Sequence, residues 1–147
     1  MVAIIGGQPA RLRPLIDLYR SAGEQAGHCP HQLQVGLHCF GYVGETFQEA
    51  ADTFYPGWAQ MFTRIGRERG FGAPRRAQYD AMLAPDGAFL IGDPQDVTAK
   101  LLRLRDDLGC DRVALQMTNI RLAHRDLVRS MELLGTEVSP AVRAALA

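Results

Sequence analysis

The chain has 147 residues, 47% of them apolar, with 16 basic and 16 acidic side chains. That length suits one domain spanning 1–147 and is too short for a closed eight-fold (β/α) barrel, which takes about 250 residues. Zero formal charge gives no general pull toward nucleic acid or anionic membrane, and no apolar run reaches the ~20 residues of a bilayer span.

Val2 to Ile5 is a short β-branched run that stops at Gly6-Gly7. Pro9 then opens a segment with Leu12, Leu15, Ile16, Leu18, Tyr19 and Ala22 on helical spacing, and Gly27 follows as a C′ residue. A second strand is predicted over Leu33 to Phe40, where Leu33, Val35, Leu37 and Cys39 alternate. Thr46-Phe47-Gln48-Glu49 has capping-box spacing and starts a helix toward Tyr55. Pro56 is expected to interrupt it before Trp58, Met61, Phe62 and Ile65 resume a helical stripe up to Gly70. Pro74 starts another short helix through Met82, so Gly41 to Leu90 reads as one long helical excursion.

Asp93-Pro94-Gln95-Asp96 supplies an N-cap, a first-turn proline and an acid at N3 for a helix whose apolar stripe ends before Gly109. Asp111 to Thr118 is the third strand, His124 to Leu134 a helix closed by Gly135, and a last short helix follows Pro140. Three consecutive βα units of this kind predict a parallel sheet in an α/β fold. Such a sheet is small for its class and its first strand starts at residue 2, so the pattern reads as part of a larger α/β structure or as a unit completed by association.

Several strings, in order, resemble the C-terminal portion of luciferase-like flavin-dependent monooxygenases. They are Ala3-Ile4-Ile5-Gly6-Gly7 with Ala10-Arg11 and Pro14 to Arg20, then Val35-Gly36-Leu37-His38 with Gly41-Tyr42-Val43. Glu68-Arg69-Gly70-Phe71, Ile91-Gly92-Asp93-Pro94 with Val97 and Lys100, and Glu132 to Val138 with Pro140 and Val142-Arg143 continue the match. The resemblance implies a partial (β/α)8 TIM barrel, holding the sixth to eighth units with a helical insertion after the second strand present. It also implies an FMN cofactor, with a deazaflavin as the alternative, and a small-molecule substrate acted on when a complete barrel is formed. Phe40 stands where relatives often carry a second His.

In such barrels the active-site groups sit at the C-terminal ends of strands. That rule selects Gly6 and Gly7, His38 to Tyr42, and Gln116 to Asn119; Gly6, Gly7, His38, Tyr42, Gln116 and Thr118 are the candidate cofactor- or substrate-binding residues. Glycines there let backbone approach a ring, or simply make a tight turn. His38 offers a donor or proton carrier near neutral pH, or a hydrogen-bonded core imidazole. No catalytic residue is assigned. His28, Cys29, His31, His38 and Cys39 match no common zinc spacing, so no metal is expected. Arg64, Arg67, Arg69, Arg75 and Arg76 form a basic stretch suited to an anion or to a solvated face. Cys29, Cys39 and Cys110, odd in number and without a C-x-x-C pair, predict reduced thiols in a cytoplasmic protein.

Two functions follow: a luciferase-like monooxygenase portion, or a non-catalytic α/β module that self-associates or binds a partner. Both predict a homo-oligomer or association with the remaining barrel, because an open sheet exposes edges and one apolar face.

Overall fold

The computed structural model describes residues 1–147. Strand β1 (Val2–Ile4) leads through a 3₁₀ turn (Pro9–Leu12) into α1 (Arg13–Gln25). Strand β2 (Gly36–Val43) precedes α2 (Phe47–Arg69) and α3 (Arg76–Leu83). Next come β3 (Leu90–Gly92), α4 (Pro94–Leu108), β4 (Arg112–Gln116) and α5 (His124–Leu133), which runs through a π turn (Leu134–Val138) into α6 (Ser139–Leu146). No helix is long and apolar enough to cross a membrane.

All strand pairs are parallel, with β2 at the centre. The register sets Ala3 beside Leu37 and Ile4 beside His38 on one edge, and Val113 beside Leu37 and Gln116 beside Phe40 on the other. The Gly36 and Gly44 amides donate to Met1 O and Gly92 O respectively. Because bonding direction alternates along a strand, these even-numbered residues place β1 and β3 end to end on the same edge. The sheet is open, an arc of a barrel rather than a closed one.

Strand β3 corrects the sequence reading, which gives three strands and ends the helical excursion at Leu90. Three residues carry no usable period, and Leu90–Gly92 becomes a strand only by pairing with Gly41–Val43. The same pairing carries β2 three residues beyond its predicted end. Two helix boundaries also differ. Pro56 lies inside a continuous α2, where an interior proline costs about 3 kcal/mol. Phe54 and Trp58 flank it, 0% and 5% exposed, and each buried aromatic side chain returns about 1.5–3 kcal/mol, so packing carries the helix through. Gly135 does not close α5, because burial of Leu133 and Val138 on either side holds the chain helical through the π turn.

The predicted N-caps form, with the return bond of the Thr46 box shifted by one residue. Thr46 Oγ1 accepts from the Glu49 amide at 3.2 Å, while Glu49 Oε2 accepts from the Glu45 amide, one residue earlier than a full capping box requires. Asp93 Oδ1 accepts from the Asp96 amide at 2.9 Å. Gly70 and Gly109 end α2 and α4 with φ of 80° and 60°, a region that favours glycine.

The two sheet faces differ. Ala3, Ile5, Leu37, Cys39 and Val43 are buried in one core with Ile16 of α1, Val97, Leu104 and Leu108 of α4, and Leu133 of α5. On the opposite face, Phe40 and Tyr42 are covered by α2, whereas Val2 and Ile4 are each 75% exposed and Ala114 is also exposed. The long excursion therefore covers the C-terminal half of that face and leaves its N-terminal half open.

Candidate functional site

Strand alternation puts His38, Phe40 and Tyr42 on the face that a closed barrel would turn inward, with Ile4 and Gln116 beside them in register. Phe40 anchors an aromatic cluster. Its ring meets Phe54 at 6.1 Å, Phe62 at 6.2 Å and Phe89 at 5.4 Å, all edge-on. Trp58 adds contacts to Phe62 and Tyr79, both at 5.0 Å. Between this cluster and the end of β1 lies a cleft of about 230 Å³, lined by Ile5, Gly6, Phe40, Trp58, Phe62, Phe71, Gly72, Pro74, Gln78, Met82 and Phe89. It sits at the C-terminal ends of β1 and β2, where barrel enzymes place their chemistry.

The six candidate residues are not gathered in one place. Gly6 lines the cleft; Gly7 follows it into the 3₁₀ turn. A Cβ on either glycine would meet nothing within 4 Å, and neither has a positive φ. The chain's own packing and backbone therefore do not require glycine at these positions. His38 is half-buried on the open part of the face, and its Nδ1 is buried without a hydrogen-bond partner. Tyr42 is 2% exposed, its ring 5.9 Å from Phe54; burial pushes its phenol up to about 12, with the Glu49 and Asp126 carboxylates adding to the shift. It remains a neutral phenol under ordinary conditions. Gln116 is half-buried beside Phe40, and Thr118 is exposed two residues past the strand.

Sequence reasoning missed the aromatic walls. Trp58 and Phe62 sit one helical turn apart and read as an ordinary core stripe, and Phe89 precedes a strand too short to recognise. It also missed Asn119 in this role. The Asn119 Nδ2 donates to Phe54 O at 3.1 Å, tying the loop after β4 to α2, and Gly57 leaves room for that carboxamide.

Cys39 and two arginines of the basic stretch, Arg64 and Arg76, have structural contacts. Cys39 lies on the covered face, opposite His38, and burial with the nearby Cys110 pushes its thiol up to about 12. Arg76 binds Asp80 at 2.7 Å and Asp52 at 2.8 Å and stacks over Tyr55 at 4.8 Å, while Arg64 pairs with Glu68 at 3.5 Å. Lys100 is buried, and its Nζ donates to Leu83 O at 2.5 Å and Phe89 O at 2.9 Å, closing the end of α3 and fixing the entry to β3. Burial lowers this ammonium to about 8, against the opposing pull of Asp96, Asp86 and Cys39.

No protein-family model and no curated protein matches the chain. Solved structures do match in fold. The chain is similar to the monooxygenase RslO1 from Streptomyces bottropensis, with a TM-score of 0.74 and 20% identity over 95% of this chain and 40% of that one. It is similar also to the oxygenating constituent of 3,6-diketocamphane monooxygenase from the CAM plasmid of Pseudomonas putida, solved in complex with FMN, with a TM-score of 0.66 and 20% identity over 96% and 42% of the two chains. A third likeness is to the coenzyme F420 dependent tetrahydromethanopterin reductase from Methanopyrus kandleri, with a TM-score of 0.62 and 14% identity over 95% and 44%. The chain thus has the fold of about two-fifths of these luciferase-like barrels.

Proposed function

We propose that the chain supplies the C-terminal three (β/α) units of a luciferase-like flavin-dependent monooxygenase barrel, and that catalysis needs the remaining units. The likeness of fold across nearly the whole chain supports this reading, together with an inward face left half open where Val2 and Ile4 are 75% exposed. FMN is the proposed cofactor and a deazaflavin the alternative. The fit rests on two features. The buried, unpartnered Nδ1 of His38 offers a hydrogen bond to a ring heteroatom, and Gly6-Gly7 offers backbone approach with open space in front of it. No basic side chain lines the cleft beside Gly6, so the cofactor phosphate would be held from the other units. When bound, reduced flavin supplies the oxygen-activating chemistry. The residues of this chain orient the ring, close the mouth with α2 and exclude water through the Phe40 cluster. Three free thiols fit the cytoplasm as the working compartment.

The open face implies association, with a second copy or with the remaining barrel units, and Ile4→Glu should weaken it while leaving the fold intact. A non-catalytic, self-associating module is the second reading, favoured by the same exposed face. Titration of the full chain with FMN and with a deazaflavin, alongside light scattering, separates the two. Flavin binding weakened about tenfold by Gly6→Ala and by His38→Ala, a loss of about 1.4 kcal/mol, supports the monooxygenase reading. An associated chain that binds neither cofactor, nor the phosphate-free flavin ring as lumiflavin, refutes the ring contacts of this reading and supports the module.

A further inference from the structure

The aromatic cleft beside Gly6 has a chemistry of its own. Phe40, Trp58, Phe62 and Phe89 form its walls, with ring centroids 5.0 to 6.2 Å apart and planes inclined by 39° to 77°. Walls built of rings offer edges and faces to an inserted ring, a complementarity that an aliphatic chain matches less well. Phe71 stands at the opening, 46% exposed, and its backbone is seated against Gly66, where a Cβ would come within 2.5 Å of Phe71 O. A large apolar side chain held in water by a fixed backbone is well placed to cover a ligand.

Charge narrows the ligand further. No acidic or basic side chain lines the cleft; its polar groups are the carboxamide of Gln78 and the indole N–H of Trp58, which is buried without a hydrogen-bond partner. The nearby Arg76 is engaged by Asp52 and Asp80 and lines a different cleft on the outer side of α3. A phosphate or carboxylate entering beside Gly6 would lose water without gaining a counter-charge. FMN as a whole and fatty acids are therefore poor occupants. A volume of about 230 Å³ holds a small fused-ring system.

We propose that this cleft binds an uncharged, planar aromatic substrate, its ring against Phe40 and Phe62 and beneath Phe71, and a polar substituent directed to Gln78. Its role as a substrate site rests on the monooxygenase reading; the binding preference does not.

Trp58 is the only tryptophan, so its indole N–H gives one resonance that reports on the cleft. The full chain, without flavin, is titrated by calorimetry and NMR with coumarin, with coumarin-3-carboxylate, with decanol and with lumiflavin. Coumarin is expected to bind about tenfold tighter than decanol and the carboxylate, to shift the Trp58 indole signal without being displaced by lumiflavin, and to lose about fivefold in affinity in Phe71→Ala, a loop variant that leaves the core untouched. Decanol or the carboxylate binding as well as coumarin overturns the proposal. So does an unmoved Trp58 signal or an unaffected Phe71→Ala. Lumiflavin that displaces coumarin and shifts the Trp58 indole signal assigns the cleft to the flavin ring and overturns it too. Coumarin binding as expected while FMN, deazaflavin and lumiflavin all fail to bind leaves the ligand class standing and refutes the monooxygenase reading alone.

Discussion

Lys100→Met should change how stability depends on pH. In the folded chain burial lowers the Lys100 ammonium from 10.5 to about 8, although the Nζ donates to two backbone carbonyls. Below about pH 8 both folded and unfolded chains hold the proton, and this group contributes no slope. Between about 8 and 10.5 the unfolded chain keeps a proton that the folded chain has released, so stability rises with pH by about 1.4 kcal/mol per unit. Across the window this amounts to about 3 kcal/mol, reduced to about 2 kcal/mol by water in the two clefts that Lys100 lines. Cys39, Cys110 and Tyr42 act in the opposite sense. Their folded values are raised, so the unfolded chain loses its protons first and stability falls as pH climbs past their ordinary values. Comparing wild type with Lys100→Met cancels the contributions of Cys110 and Tyr42, and pairing each protein with Cys39→Ala removes that of Cys39, which Lys100 itself influences. The assay is urea unfolding of both proteins, under reducing conditions, followed by Trp58 fluorescence at about pH 7.5 and about pH 10.5. Wild type should gain about 2 kcal/mol on the variant between the two pH values. A difference that stays constant with pH would refute the argument that Lys100 is a desolvated ammonium.

Gly57→Ala should destabilise by about 1–2 kcal/mol, because its Cβ would lie 1.8 Å from Asn119 Oδ1 and displace a carboxamide bonded to Phe54 O. The double variant with Asn119→Ala should cost less than the sum of the singles, and strict additivity in a denaturation cycle would disprove the contact. Ser130→Ala removes the acceptor of the buried Val43 amide, bonded at 2.7 Å, and should cost about 1–3 kcal/mol. Hydrogen exchange at Val43 should accelerate with it; unchanged exchange counts against the bond. Gly6→Ala should leave the melting temperature unchanged or raise it, since the new Cβ meets open space and the unfolded chain loses freedom. A fall in melting temperature would show that the glycine serves the fold itself.

Features whose partners lie within a few residues were legible in the sequence. Thr46 and Asp93 were legible as caps because each bonds an amide three residues on, and Gly27, Gly70 and Gly109 were legible as stops because each has the positive φ that glycine accommodates. Strand β2 was legible from alternation and β1 from its β-branched run, and the strings they contain carried the resemblance to the barrel enzymes. Tertiary structure decided whatever depends on distant partners. Leu90–Gly92 is a strand only because Gly41–Val43 pairs with it, and α2 crosses Pro56 only because Phe54 and Trp58 are buried on either side. The aromatic cleft joins residues 5 to 89 through contacts that no local period encodes, and the lowered ammonium of Lys100 follows from burial that the residue type argues against. Local hydrogen bonds are written in short-range sequence. Desolvation and ring packing arise only when separate segments meet.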